Sequence, residues 1–136
     1  MNVLITGGTG FIGSYIAEEL FNNGFKIRIL HRADIIKKNP HFEYYKGNLV
    51  NKDSLVNALE GIDIISHQAA LGGFGSTYSD YLQVNCLGIS NIMDIIKKND
   101  LSIKRIVFAS TQSMYGEGSY YCNKHKEVSV GTRSLK

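Results

Sequence analysis

The chain has 136 residues, 43% apolar and 20% charged, which suits one soluble domain with its own core. It contains no apolar run long enough to cross a bilayer, and MNVLIT runs into glycines without the basic and longer apolar stretches of a secretory leader. The net charge of +3 is uneven, with nine basic and ten acidic side chains in residues 1–101 but six and two in residues 102–136. Those six are scattered without a basic run, which reads as solvated surface and not as a nucleic-acid site. Two cysteines, Cys86 and Cys122, make no disulfide framework, so a reducing cytoplasm is expected.

Asn2 to Thr6 is a short apolar run ending in glycines and reads as a buried strand. Ile12, Ile16 and Leu20 recur at helical spacing, and Gly24 is a stop signal for that helix. Phe25 to Leu30 reads as a second strand and Phe42 to Lys46 as a third. Asp53 to Leu59 reads as a short helix and Ile62 to Ser66 as a fourth strand. Tyr81, Val84, Gly88, Ile92, Ile95 and Ile96 give a long helix one apolar and small-residue face, ending near Lys97–Asn99. Arg105 to Ala109 is a fifth strand. Strands alternating with helices imply a parallel sheet covered on both faces. Right-handed crossovers leave a Rossmann-type, doubly wound α/β sheet as the economical topology.

The strongest motif is T-G-G-T-G-F-I-G, Thr6 to Gly13, between a strand and a helix. Each glycine has its own reason. Gly7 allows the tight turn out of the strand. Gly10 removes a side chain where backbone must approach a pyrophosphate. Gly13 lets the helix pack close. The free amides of the first helical turn, at Phe11 and Ile12, then face the phosphates.

Four further segments follow in order: G-N-L (Gly47–Leu49), I-S-H-Q-A-A (Ile65–Ala70), V-N-C-L-G (Val84–Gly88) and K-R-I-V-F-A-S-T-Q-S-M-Y-G (Lys104–Gly116). With the Gly7-x-x-Gly10-x-x-Gly13 spacing, the chain resembles the extended short-chain dehydrogenase/reductases, the NAD-dependent epimerase/dehydratase family, over residues 1 to about 118. That family acts mostly on nucleotide sugars. The resemblance implies that Asn48 and Leu49 meet the adenine and that the backbone of Ala69 and Ala70 lines the cofactor. It also implies that Asn85 lies near the pyrophosphate and nicotinamide ribose. Thr111 falls on the catalytic Ser/Thr position, where its hydroxyl would bond the substrate oxygen, and Ser110 would line the site beside it.

The departures are informative. NAD-using members usually carry an acidic residue after the second strand, and this chain has His31 and Arg32. A carboxylate repels a 2′-phosphate, whereas Arg can hold one, which tilts the expected cofactor from NAD towards NADP. The alternative is that Arg32 stacks on adenine and Asp34 takes the ribose. Asn48 replaces the usual Asp, but its carbonyl can still accept from the adenine amino group. Gln112 and Ser113 are not the Asp and Glu of dehydratases, which leaves epimerase or reductase chemistry.

Tyr120 and Lys124 have the Tyr-x-x-x-Lys spacing of the family's proton-transfer pair, which needs one turn of helix. Only nine positions separate Thr111 from Tyr120, and Val128 to Thr132 is poor helix material. The stretch Y-G-E-G-S-Y-Y-C-N-K-H-K-E-V resembles an insertion in one branch of the family, placed before the true Tyr-x-x-x-Lys. Cys122 and His125 have the Cys-x2-His spacing of half a zinc site, but no second Cys pair completes it, so an exposed Cys and His in a loop, with no metal, is the expectation. Residues 119–136 are therefore expected to be a basic loop, and the Rossmann domain (1–118) to stop after its fifth strand. An open sheet edge there predicts homo-oligomers or a disordered tail. Two function classes follow. One is the cofactor half of a nucleotide-sugar epimerase-type enzyme, inactive as this chain. The other is an NADP-binding module without turnover.

Overall fold

A central parallel strand must be apolar on both faces, because helices cover both. Asn2–Thr6 (β1) meets that demand, with Val3, Leu4 and Ile5 at most 1% exposed. The computed structural model describes residues 1–34, 38–73, 75–111 and 119–129. Around β1 it builds a five-stranded, all-parallel sheet from Lys26–His31 (β2), Glu43–Lys46 (β3), Ile64–His67 (β4) and Arg105–Phe108 (β5). The order is β3-β2-β1-β4-β5. The chain therefore reverses direction across the sheet between β1 and β4, the switch point of a Rossmann fold.

Alternate residues of the strands feed two cores. Val3, Ile5, Ile27 and Ile29 pack with Ala17 of helix α1 (Phe11–Asn22). Leu4, Leu30 and Ile65 pack on the other face with Leu55, Leu59, Ile92 and Ile95. The expected buried stripe of α1 shifts by one position. Ile12 is 63% exposed, and the inward line runs through Gly13 and Ala17, with Ile16 and Leu20 partly covered. Gly13 takes the inner place because only a residue without Cβ fits against the turn after β1.

Two helices differ from their sequence patterns. The segment from Asp53 to Leu59 opens as a 3-10 turn, Lys52–Ser54, with the Asn51 side chain accepting from the Asp53 amide at 3.1 Å, and continues as helix α2 (Val56–Leu59). The long helix is composite. Helix α3 (Tyr78–Tyr81) starts on a Thr77–Asp80 capping box, widens into a π-helical stretch at Leu82–Leu87, and resumes as α4 (Gly88–Lys98). Its buried face includes a polar residue, Asn91, whose side chain donates to the Leu49 carbonyl at 2.8 Å.

Residues 119–129 are not a loop. Ser119–Cys122 (β6) and Lys126–Ser129 (β7) form an antiparallel hairpin in a sheet of their own. Gln112 and Ser113 lie outside the described residues.

The depth of the two-sided core makes a prediction. Ile65→Ala should cost about 2–5 kcal/mol in urea unfolding, as fully buried Ile truncations do. Val107→Ala on β5, where the side chain is 46% exposed, should cost under about 1 kcal/mol. Equal losses would contradict the core assignment.

Candidate functional site

The carboxyl ends of β1, β2 and β4 open onto a cleft of about 360 Å³, lined among others by Gly7, Gly10, His31, Arg32, Asn48 and Ala69. Leu49 and Ala70 also line it, so eight of the residues singled out from sequence converge there. Thr6, Thr9, Gln68, Leu71 and Val84 line it as well, though the sequence did not single them out as site residues.

The glycine turn is built by contact. Gly7 has φ +70°, and a Cβ there would stand 2.7 Å from the Ala69 amide nitrogen. A Cβ on Gly13 would run into the Gly7 carbonyl oxygen. Gly10 donates its amide to the Gly7 carbonyl at 2.9 Å and caps α1 without a side-chain bond. No acidic residue lies in the first turn of α1. The amides of Phe11 and Ile12 have no acceptor within the helix and lie at its positive end. The side chains of both point away from the core, 80% and 63% exposed.

The opposite lip is held by Thr6. The Ala69 amide donates to Thr6 Oγ1 at 3.2 Å, and Gln68 donates its amide to the Thr6 carbonyl at 3.1 Å. Thr6 Oγ1 lies 2.9 Å from His67 Nδ1, both buried. With one Oγ1 lone pair taken by Ala69, the hydroxyl can donate to a neutral His67 Nδ1 or accept from it, according to the ring's tautomer. Burial pushes the His67 imidazole below its ordinary value, which favours that neutral ring.

Beyond Ala69 the loop is pinned from the composite helix. Asn85 bonds both backbone groups of Leu71, accepting from its amide at 2.7 Å and donating to its carbonyl at 3.0 Å. Tyr81 donates its hydroxyl to the Gly73 carbonyl at 2.5 Å. Asn85 thus shapes the cleft wall without lining it, and the π-helical stretch is what carries it.

At the β2 end, His31 is buried and its Nδ1 donates to the Ala33 carbonyl at 2.8 Å. Arg32 is exposed, and its guanidinium has no hydrogen-bond or ion-pair partner among the described residues. Asp34 is engaged by Lys46 at 2.8 Å, whose hydrogen bond and charge hold the carboxyl below its ordinary value. Asn48 accepts the Val50 amide on Oδ1 at 3.2 Å, and its backbone is fixed by Ser54 Oγ at 2.9 Å. One Oδ1 lone pair remains for a ligand. Gly47 is obligatory, since a Cβ would stand 2.7 Å from the Ser54 carbonyl oxygen.

Ser110 and Thr111 follow β5 at the same carboxyl edge, where Ala109 donates its amide to the His67 carbonyl at 3.1 Å; both are exposed and neither lines the cleft. Tyr120 and Lys124 are not brought together on a helix. Tyr120 sits in β6, opposite Val128, and Lys124 sits in the turn between β6 and β7. An extended strand and a turn do not provide the one-turn spacing that the pair needs.

A switch-point cleft with this glycine turn is the setting of a dinucleotide site. The family model described as NAD dependent epimerase/dehydratase family matches residues 3–134. The chain belongs to the NAD dependent epimerase/dehydratase family. Among its relatives is an uncharacterized UDP-glucose epimerase, YtcB, of Bacillus subtilis, 33% identical over 136 aligned positions that take in 86% of this chain and 42% of that protein. Among solved structures, UDP-N-acetylglucosamine 4-epimerase from Bacillus cereus is 31% identical with a TM-score of 0.70, covering 93% of this chain and 46% of that one. The Thermus thermophilus UDP-glucose 4-epimerase complex with NAD is 29% identical with a TM-score of 0.69, covering 82% and 38%. The chain spans about two fifths of the length of the curated epimerase YtcB.

Two outcomes follow for this family member. Gly7→Ala forces a Cβ into the Ala69 backbone at a left-handed φ, and should abolish cofactor-dependent fluorescence changes and destabilise the fold by about 1–3 kcal/mol. His67 refuses a proton in the fold that it accepts when unfolded. Its stabilising effect is therefore full above about pH 6.5 and lost as pH falls below that. The unfolding midpoint should drop between about pH 7 and pH 5, and His67→Asn should flatten that slope. An unchanged slope in the variant would assign the pH dependence elsewhere.

Proposed function

We propose that this chain is the NAD(P)-binding half of a nucleotide-sugar epimerase-type oxidoreductase. The observation that carries the reading is the cleft at the β1–β4 switch point, where Gly7, Gly10 and the Ala69–Ala70 backbone meet. When bound, the nicotinamide cofactor supplies a hydride acceptor. The chain's own groups hold it. The amides of Phe11 and Ile12 take the pyrophosphate. Asn48 Oδ1 accepts from the adenine amino group, with Leu49 against the ring. Asn85 holds the wall on which the nicotinamide end rests. Thr111 bonds the substrate oxygen, with Ser110 beside it.

The 2′ position of the adenine ribose is read by His31 and Arg32. The exposed guanidinium beside the cleft, and the engagement of Asp34 by Lys46, favour NADP over NAD. The solved relative from Thermus thermophilus is a complex with NAD, so the preference is a property to measure in this chain. Turnover is not expected from these 136 residues, because Tyr120 and Lys124 lie on a strand and a turn. A cofactor-binding module without catalysis is the second reading, favoured by that same observation. Free Cys86 and Cys122 fit a cytoplasmic location. The outer edge of β5, with Val107 and Phe108 about half exposed, fits a homo-oligomer.

Titration by calorimetry tests this. The wild-type chain should bind NADPH about tenfold more tightly than NADH, and Arg32→Asp should reverse the order. Equal affinities that survive Arg32→Asp would remove Arg32 from the site. No binding of either cofactor at millimolar concentration would sink the proposal.

A further inference from the structure

His67 is a buried titratable side chain that the cofactor-holding groups leave unused, and the next residue, Gln68, already lines the cleft. His67 closes β4, level with Thr6 on β1 and Phe108 on β5. Its Nδ1 lies 2.9 Å from Thr6 Oγ1, and the Phe108 ring meets the imidazole edge-on, 5.7 Å between centroids. Thr6 is fully buried, and its Oγ1 accepts the Ala69 amide at 3.2 Å. That amide nitrogen is the atom that a Cβ on Gly7 would meet at 2.7 Å. One continuous line therefore runs from the imidazole, through one hydroxyl, to the closest backbone approach of the cleft, Ala69 against Gly7.

The line responds to charge. A neutral imidazole meets the hydroxyl as acceptor or as donor, whereas an imidazolium only donates. Thr6 Oγ1 then receives hydrogens from both His67 and Ala69, which leaves its own proton no partner among those the structure gives it. No opposite charge offsets the imidazolium. At this level β1 presents Thr6 and β5 presents Phe108, and the neighbours along β4 are Ser66 and Gln68. On the helices over the sheet, Glu18 and Glu19 of α1, Lys52 and Asp53 before α2, Asp80 of α3, and Asp94, Lys97 and Lys98 of α4 are all exposed. Burial alone therefore sets the direction of the His67 shift, towards a neutral ring. The 7% of the residue that stays accessible admits a proton from solvent.

On the reading of the cleft as an NAD(P) site, we infer that His67 is a positioning residue for the cofactor: through Thr6 Oγ1 it holds the Ala69 backbone against the Gly7 turn, and it loosens that hold when the imidazole takes up a proton. His67 does not itself line the cleft and acts through the wall. Cofactor affinity is thereby linked to protons. A site that binds best with His67 neutral has its full affinity above the imidazole pKa and loses affinity as pH falls through it. Because burial lowers that pKa from its ordinary 6.5, the loss belongs below that pH.

The experiment uses the full chain between about pH 8 and about pH 5, at a temperature where circular dichroism shows it folded throughout, with NADP+ as the probe. In isotope-labelled protein without cofactor, the Ala69 amide should shift with the same midpoint as the His67 ring. It should stop titrating in His67→Asn, whose side chain cannot charge. By calorimetry, wild-type affinity for NADP+ should fall at least about fivefold more over this range than that of His67→Asn. His31 lines the cleft and the 2′-phosphate of NADP+ titrates in the same range, but both are common to the two proteins. His67→Leu, which offers Thr6 no partner, should weaken NADP+ binding at the upper pH, and His67→Asn should recover most of that loss. An Ala69 amide that ignores the His67 titration would overturn the proposal, as would an affinity whose pH dependence is the same in wild type and His67→Asn. Absence of NADP+ binding at the upper pH would instead remove the NAD(P) reading, and the Ala69 titration would still decide whether His67 holds the wall.

Discussion

The site depends on how closely the ends of β1 and β4 approach each other. At the switch point of a parallel sheet, two neighbouring strands send their chains to opposite faces, and the gap between them is where a ligand can enter. Here that gap is set by backbone against backbone. Gly7 meets Ala69 with no room for a Cβ, and Gly13 meets the Gly7 carbonyl in turn. Thr6 bridges the same two strands with its hydroxyl and main chain. A methyl group at either glycine would push α1 outward and displace the turn that lines the cleft.

Rigidity is then passed outward. The Asn85 side chain, bonded to both backbone groups of Leu71, fixes the far wall, and Tyr81 fixes the loop at Gly73. Both come from a helix that widens to π geometry at Leu82–Leu87. Such widening is common where a helix must aim a side chain that regular α spacing would place elsewhere. On the other side, Ser54 bonds the Asn48 backbone, and Gly47 leaves room for the Ser54 carbonyl. The cleft is bounded by three separately braced segments.

Much of this was legible in the amino-acid sequence. Short β-prone runs between turn signals located all five parallel strands; β1 is continuously apolar from Val3 to Ile5 because it is buried on both faces, whereas the outer β3 and β5 are partly exposed and less apolar. The glycine spacing located the turn, because each glycine answers a distinct steric demand. Helix details were less legible. Ile12 looked inward by periodicity, yet Gly13 holds that place, since close approach outweighs hydrophobic pattern at a helix start. The π-helical stretch has no pattern of its own. Thr6 and Gln68 were silent because their roles come from pairing across strands distant in sequence. The β6–β7 hairpin was missed although Ser119–Cys122 and Lys126–Ser129 carry aromatic and β-branched residues around Asn123–Lys124. The Tyr120-x-x-x-Lys124 spacing was discounted as a helical pair because the connection from Thr111 is short, and the two residues lie in a strand and a turn.

Amide chemical-shift mapping of the labelled chain during NADPH addition tests the central claim most directly. The account predicts the largest shifts at Gly7, Gly10, Phe11, Ile12, Asn48, Ala69 and Ala70, with Cys122 and His125 unmoved. Shifts confined to other surfaces, or none at saturating cofactor, would contradict it.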